Sequence, residues 1–414
     1  MTTVRPQPPA RPTTKGYALD GIRVTDFTWW HAGAQATVLL AEFGAEVIKI
    51  ESLKPHASRS IGGQFGPGVG GAWAVEYHSK MSVTLNMQDQ RGKETAKELI
   101  AISDVVIENF TPKVLPSWGL SYPEMRKLRP DIIYISMPGT GRKGPYSSYR
   151  TLGPIVQALS GLTYLGGLPG EEPSGWGFSY MDHTSGYYAA MAAIQAVYHR
   201  RKTGQGQWVD LSQIFCAATL TGPSLLDYAV NKRKSYVVGN GSKYQPAAPY
   251  GAYPCQGKDR WCAITVMDDA QWQALCNVMG NPSWAKDAKF ATSASRAKNQ
   301  DELDALIGEW TRRFDGYDLM ERLQAAGIPG GVVQNGEDRV ERDPQFKHRN
   351  LFAPIAHPMM GTGLVPNLPV QFAKQKAGPL YSSTPMREFN EDVFTRILGM
   401  PQPKFAEYEK AGVI

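Results

Sequence analysis

The run "GIRVTDFTWWHAGAQATVLLAEFGAEVIKIE", Gly21 to Glu51, decides the fold. "GIRVTDFT" reads as a strand. "AQATVLLAEFG" carries apolar residues at helical spacing and ends on Gly44, a residue suited to closing a helix. "AEVIKIE" is a second apolar strand. Strand, helix and strand within about thirty residues make a βαβ unit, which requires parallel strands and a right-handed crossover. The alternation continues. "MSVTLNM" and "DVVIENF" read as strands around a helix at "DQRGKETAKELIAIS", and the helical "SYPEMRKLRP" precedes the strand "DIIYISMPG". The expected fold class is α/β, with a Rossmann-like, doubly wound large domain.

Farther on, Thr184 to about Arg201 reads as one long helix closed by the basic turn "HRRKTGQG", and "QWVDLSQIF" as a strand running into another helix. The polar linker "NKRKSYVVGNGSKYQPAAPYG" marks a change of character. Beyond it, "GAYPC" and "RWCAITV" read as an antiparallel pair, followed by helices at "ELDALIGEWTRRF" and "DLMERLQAAG". That is a small α+β domain. The expected division is a flexible Pro-rich tail at 1–17, a large domain at 18–228 with 345–414, and a small domain at 240–340.

A length of 414 residues calls for more than one domain, and 42% hydrophobic with 20% charged residues is ordinary globular composition. The net charge of +6 comes without Lys/Arg runs interleaved with aromatics, so no nucleic acid partner is expected. A small polyanion such as a nucleotide or coenzyme A suits that balance better. Cys216, Cys255, Cys262 and Cys276 show no C-x-x-C spacing and read as free thiols in a reducing cytosol. The seven histidines show no metal-ligand spacing, so no metal is expected. The start, "MTTVRPQPPARPTTKG", lacks the apolar region of a signal peptide, and no uncharged apolar stretch nears the roughly 18 residues of a membrane span. A soluble, cytoplasmic protein is expected.

Several motifs fail on their context. "GTGRKG", Gly139 to Gly144, matches G-x-G-x-x-G, but Pro145 and "YSSYR" follow where a dinucleotide loop must open into a helix. Glu51 ends the second strand where a ribose-binding acid would sit. Yet the first turn, "DFTWWHAGAQA", has tryptophans where glycines are needed for a pyrophosphate, which argues against an NAD-dependent dehydrogenase. "GFSYMD" around Ser179 lacks the second glycine of a hydrolase elbow. Trp29 and Trp30 read either as core or as the wall of a ligand pocket at a strand end. Asp182, before the helix expected at Thr184, reads either as a helix cap or as a chemical group, and residue type alone favours the cap.

Taken together, "ALDGIRVTDFTWWHAGAQATVLLAEFGAEVIKIE", "IENFTPKVLPSWGL", "YISMPGTGRKGPY", "VQALSGLTYLGG" and "YMDHTSGYYAAMAAIQAVYHRRKTGQGQWVDLS" resemble the class III CoA-transferases. This is the family of formyl-CoA transferase, carnitine CoA-transferase and the succinyl-CoA-dependent transferases. The resemblance runs from Leu19 to Ser212 and continues more loosely through "APYGAYPC" and "GIPGGVV". It implies that Asp182 is the nucleophile of a CoA-transferase. Its carboxylate would attack an acyl-CoA thioester, pass through an aspartyl anhydride and an aspartyl-CoA thioester, and deliver CoA to a free carboxylic acid. It also implies two chains interlocked as a homodimer, with CoA as a substrate and no tightly bound cofactor. A hetero-oligomer is an alternative to the homodimer.

Residue by residue, the resemblance carries acyl and CoA contacts onto His31, Ala32, Tyr77, His78, Ser79, Lys80, Asn109, Phe110, Thr111 and Arg150, with Lys80 and Arg150 as phosphate partners. The sequence departs from the pattern at several points. His31 stands where formyl-CoA transferase has glutamine, and Ser52 and Ser117 stand where the family has arginines. The glycine-rich lid is missing from "SKYQPAAPYG". The α-methylacyl-CoA racemases share the fold but need a His–Asp pair, and Leu152 stands at the histidine position. A non-catalytic CoA-binding subunit is the remaining alternative, against which Asp182 argues.

Overall fold

The computed structural model describes residues 13–55, 57–60, 64–66, 69–177, 179–241, 245–357 and 359–414. Most of the tail expected at 1–17 lies outside these residues, as does Ser242 to Tyr244 in the loop that lacks the family's glycine-rich lid. The chain divides into two compact units. The first comprises residues up to Thr163, Gly175–Lys234 and Gln345–Ile414; the second comprises Tyr164–Ser174 and Ser235–Pro344.

The first unit is built on six parallel strands: β1 (Arg23–Asp26), β2 (Glu46–Glu51), β3 (Lys80–Thr84), β4 (Val105–Glu108), β5 (Ile133–Ser136) and β6 (Trp208–Asp210). Their order across the sheet is β3-β2-β1-β4-β5-β6. The order reverses between β1 and β4, and in open α/β sheets the crevice beyond the strand ends at such a reversal is where ligands bind. The strands are apolar because both faces are covered. Along β2, Val47 belongs to one core cluster and Ile48 to the other; along β4, Val106 faces one way and Val105 and Ile107 the other. One cluster is closed by α3 (Gln90–Ala101), through Leu99 and Ile100. The opposite cluster is closed by α1 (Trp30–Glu42) and the long α6 (Tyr180–Thr203).

Glycines let α1 and α6 meet closely. A Cβ on Gly186 of α6 would lie 2.6 Å from Gln35 Cβ and 2.9 Å from the Ala32 carbonyl oxygen. A Cβ on Gly33 would strike the Thr28 side chain at 2.1 Å. A buried polar group locks the start of α1 to β1: Asp26 accepts bonds from the Thr28 amide and hydroxyl and from Thr37, and Lys49 lies 3.2 Å away.

The long helix begins at Tyr180, four residues before the expected start, because Ser179 (φ 47) supplies the turn into it. Asp182 therefore sits within the first turn and not ahead of it. "GTGRKG" is turn structure: Arg142 reaches back to Glu108 at 2.9 Å, and no helix opens there. Glu51, the ribose-acid candidate, is taken by two bonds from Arg59 at 2.6 and 2.7 Å.

The second unit carries an antiparallel sheet of β7 (Tyr250–Pro254), β8 (Trp261–Thr265) and β9 (Gly330–Val332), ordered β9-β8-β7. Helices pack on it around Trp272, Phe290, Leu303 and Leu319. All four cysteines are buried free thiols. Among the described residues, no helix is long and apolar enough to cross a membrane.

Gly186→Val should force α6 away from α1 and destabilise the protein by about 1–3 kcal/mol. Urea unfolding checks this, and a midpoint equal to wild type would mean that the helices are not held at this distance.

Candidate active site

The crevice at the β1–β4 reversal is closed at its base by a reciprocal pair. The Trp29 amide donates to Asn109 Oδ1 at 2.8 Å, and Asn109 Nδ2 donates to the Trp29 carbonyl at 2.6 Å. Trp29 then stands edge-on to Phe110, ring centroids 5.4 Å apart. Trp30 enters α1 with φ 59, a strained conformation for a bulky residue, and strain of this kind collects at functional sites. At the pair lies a cavity of about 350 Å³, lined by Trp29, Trp30 and Phe110 and by Leu152, Gly153 and Pro154. His31 and Asp182 both line it.

Asp182 is 9% exposed. Burial pushes its carboxyl up to about 6, an effect moderated by His31 and by a hydrogen bond with Ser179. Its oxygen lies 2.4 Å from where a Cβ on Gly153 would stand, so only glycine at the start of α5 (Gly153–Leu159) leaves this carboxylate room. His31 Nδ1 lies 2.6 and 2.7 Å from the two carboxylate oxygens of Glu76, the last residue of α2 (Gly71–Glu76). Burial alone would pull the His31 pKa down, but the Glu76 bond and charge, with Asp182, hold it above its usual value. His183, next to Asp182, has its Nδ1 3.0 Å from Gln35 Oε1, and burial lowers its pKa.

A second cavity of about 390 Å³ adjoins the first and shares Trp29 and Phe110 with it. Its walls are mainly apolar, from Phe27, Ile50, Leu85 and Trp118, and Lys54 stands on its lining.

Of the expected site residues, Asp182, His31, Asn109 and Phe110 meet at the first cavity. Thr111 is half-buried beside Phe110 but does not line it, and Arg150 is exposed, one residue before Thr151 of the wall. The others lie elsewhere. Ala32 is in the core, where it faces Gly186. Tyr77 is stacked on Trp73, centroids 3.6 Å apart, and His78 is buried, its pKa pushed down to about 3 by burial and by Lys80. Ser79 accepts from the Leu380 amide. Lys80 requires a correction. It is 1% exposed, its Nζ donates to the Ala34 carbonyl at 2.8 Å, and burial pulls its pKa down to about 7, so it turns into the core and not toward a phosphate. Sequence reasoning missed Glu76, Gly153 and Lys54. An acid in the otherwise apolar "GAWAVE" was the only signal for the first, and Gly153 before Pro154 reads as an ordinary helix start.

A buried carboxylate and an imidazole whose pKa is held above its usual value line one cavity, and groups of these types can attack an acyl carbon and donate to the resulting oxyanion. The family model described as CoA-transferase family III matches residues 19–391. This chain belongs to that family. It is 30% identical over 413 residues to the succinyl-CoA–D-citramalate CoA-transferase of Chloroflexus aurantiacus, covering 99% of both chains. It is 31% identical to the succinyl-CoA–L-malate CoA-transferase beta subunit of the same organism, covering 97% of this chain and 99% of that one. A crystal structure of a CAIB/BAIF family protein from Brucella suis superposes with a TM-score of 0.84 at 27% identity, over 92% of this chain and all of that one. The sheet of this CoA-transferase family member thus matches a known α/β architecture, and its relatives act on CoA thioesters. Among the described residues, no group of three His, Cys, Asp or Glu is arranged to hold a metal.

Because the Asp182 carboxyl is held near 6 in the folded state against 3.8 for the free group, its charge costs stability above about pH 6. Asp182→Asn should therefore be more stable than wild type at pH 8, by about 1–3 kcal/mol, with the gain fading as pH falls from about 6 to about 4 and absent below that, where both states of the wild type are protonated. Urea unfolding at the two pH values checks this.

Proposed function

We propose that the protein moves CoA from an acyl-CoA donor, with succinyl-CoA the first candidate, to a free carboxylic acid. The observation that carries the reading is the Asp182 carboxylate, buried on the lining of a crevice that His31 also lines. An Asp182 oxygen attacks the thioester carbonyl, the C–S bond breaks, and CoA thiolate leaves with the electron pair, giving an aspartyl acyl anhydride. The thiolate then attacks the aspartyl carbonyl, releasing the donor acid and leaving an aspartyl-CoA thioester. The acceptor carboxylate attacks that carbonyl and the steps run in reverse. At each tetrahedral stage the oxyanion would accept a hydrogen bond from His31.

The two adjoining cavities suit the two ends of the substrate. The first takes the acyl group between Trp29, Trp30 and Leu152, and the apolar second takes the adenosine end, with Lys54 in reach of its phosphates. Arg150 remains a proposed phosphate partner from the open side. The racemase alternative finds no base at Leu152, which is 58% exposed on the cavity wall. For the assembly, a homodimer of interlocked chains agrees with the apolar surface on α7 (Gln213–Leu220) and α8 (Gly222–Asn231). There Phe215, Leu226 and Val230 are 74%, 64% and 69% exposed. Free thiols in the four cysteines agree with a cytoplasmic location.

Purified protein, incubated with succinyl-, acetyl- and formyl-CoA against a panel of carboxylic acids, should form new acyl-CoAs detectable by mass spectrometry. Asp182→Ala should form none. In deuterated buffer an α-methylacyl-CoA should keep its α-hydrogen; rapid wash-in without transfer would favour the racemase. Since attack requires the carboxylate, kcat/KM should fall on the acid side through about pH 6. Lys54→Ala should raise KM for the CoA donor about three- to tenfold, whereas Lys80→Ala should lower stability instead.

A further inference from the structure

Glu76 has no part in the chemistry assigned so far, yet it is 4% exposed and ends a helix of six residues. A carboxylate is expensive to bury unless something holds it. What holds Glu76 is His31, whose Nδ1 lies within 2.7 Å of both its oxygens. The titratable groups around this pair are His183 and Asp182 from α6, Lys80 from β3 and Tyr77, the residue after Glu76. His183 Nε2 is 3.9 Å from Glu76 Oε1, well beyond the distance to His31. Gln35 orients His183 from one turn farther along α1. The carboxylate is therefore committed to His31.

We propose that Glu76 is a positioning residue for the reacting carbonyl: by clamping His31 Nδ1 it fixes the ring as a two-donor imidazolium whose Nε2–H faces the thioester oxygen. His31 lines the cavity that Asp182 also lines, so the clamp on Nδ1 acts on a ring that faces the acyl group in the transferase reading. A neutral imidazole would hold the oxyanion more weakly, and a ring without the clamp could rotate or change tautomer. The clamp also sets the charge next to Asp182. An imidazolium lining the same cavity favours the ionised carboxylate that must attack, as the moderating effect of His31 on the Asp182 carboxyl indicates. Glu76 thus acts on both partners of the step without touching either reacting atom. This inference rests on the transferase reading of Asp182.

The test uses full-length protein labelled with 15N-histidine, comparing wild type with Glu76→Gln, Glu76→Asp and His31→Gln. In Glu76→Gln, His31 should lose its proton at a pH lower by about one unit or more. The alkaline limb of single-turnover thioester consumption should move with it. The rate should fall about 10- to 100-fold, while KM for the CoA donor stays within about threefold. Glu76→Asp, which keeps the charge, should recover part of both the rate and the His31 titration. An unchanged His31 titration in Glu76→Gln overturns the proposal. So does a folded Glu76→Asp that is as inactive as Glu76→Gln, because charge would then not be the function of this side chain. The NMR titration does not depend on turnover. If wild type transfers no CoA, the transferase reading fails, while the Glu76–His31 coupling is still measured.

Discussion

A carboxylate is kept out of water at Asp182, and only a few of the groups around it offset that burial. Removing a charge from solvent is unfavourable unless an opposite charge or hydrogen bonds replace the water. Here the replacement is incomplete: His31 and Ser179 favour the ionised form, yet burial outweighs them and the carboxyl sits near 6. A group poised there is still ionised at neutral pH but is weakly solvated, and weak solvation makes a carboxylate a better nucleophile. His31 faces the same difficulty and meets it through Glu76. In the proposed arrangement the three side chains form a sequence of contacts and charges, from Glu76 through the His31 ring to Asp182.

That sequence exists only because three separate elements converge. Glu76 comes from α2, His31 from the start of α1 and Asp182 from the first turn of α6. Close approach of α1 to α6 depends on Gly186, which admits Gln35 and the Ala32 carbonyl where any side chain would collide. Room for the carboxylate depends on Gly153. Two non-glycine residues in left-handed conformations, Trp30 and Ser179, begin the helices that carry His31 and Asp182. Strain at Trp30 is tolerated because the buried bonds around Asp26 and the Trp29–Asn109 pair over-determine the backbone just before α1.

Much of the large sheet was legible in the sequence, because its strands are short apolar runs separated by helices of clear period, and this pattern has few topological solutions. Asp182 and His31, expected from the resemblance of ordered blocks, come to line one cavity, although the helix start was misjudged: Ser179 takes a conformation that residue type does not announce. The resemblance carried a phosphate contact onto Lys80, whereas the strand it begins lies inside the sheet and the side chain is buried there. Glu76 and Gly153 were illegible for a different reason. Their importance comes from contacts with residues 45 and 29 positions away, and no local pattern encodes such a meeting.

The direct measurement is to incubate the protein with donor acyl-CoA alone, quench with hydroxylamine or borohydride, and map the modified peptide by mass spectrometry. A single modified aspartyl residue, Asp182, is the expected result, with no modification in Asp182→Asn. Transfer of CoA that proceeds at full rate without any modified Asp182, or modification at another carboxylate, would contradict the assignment.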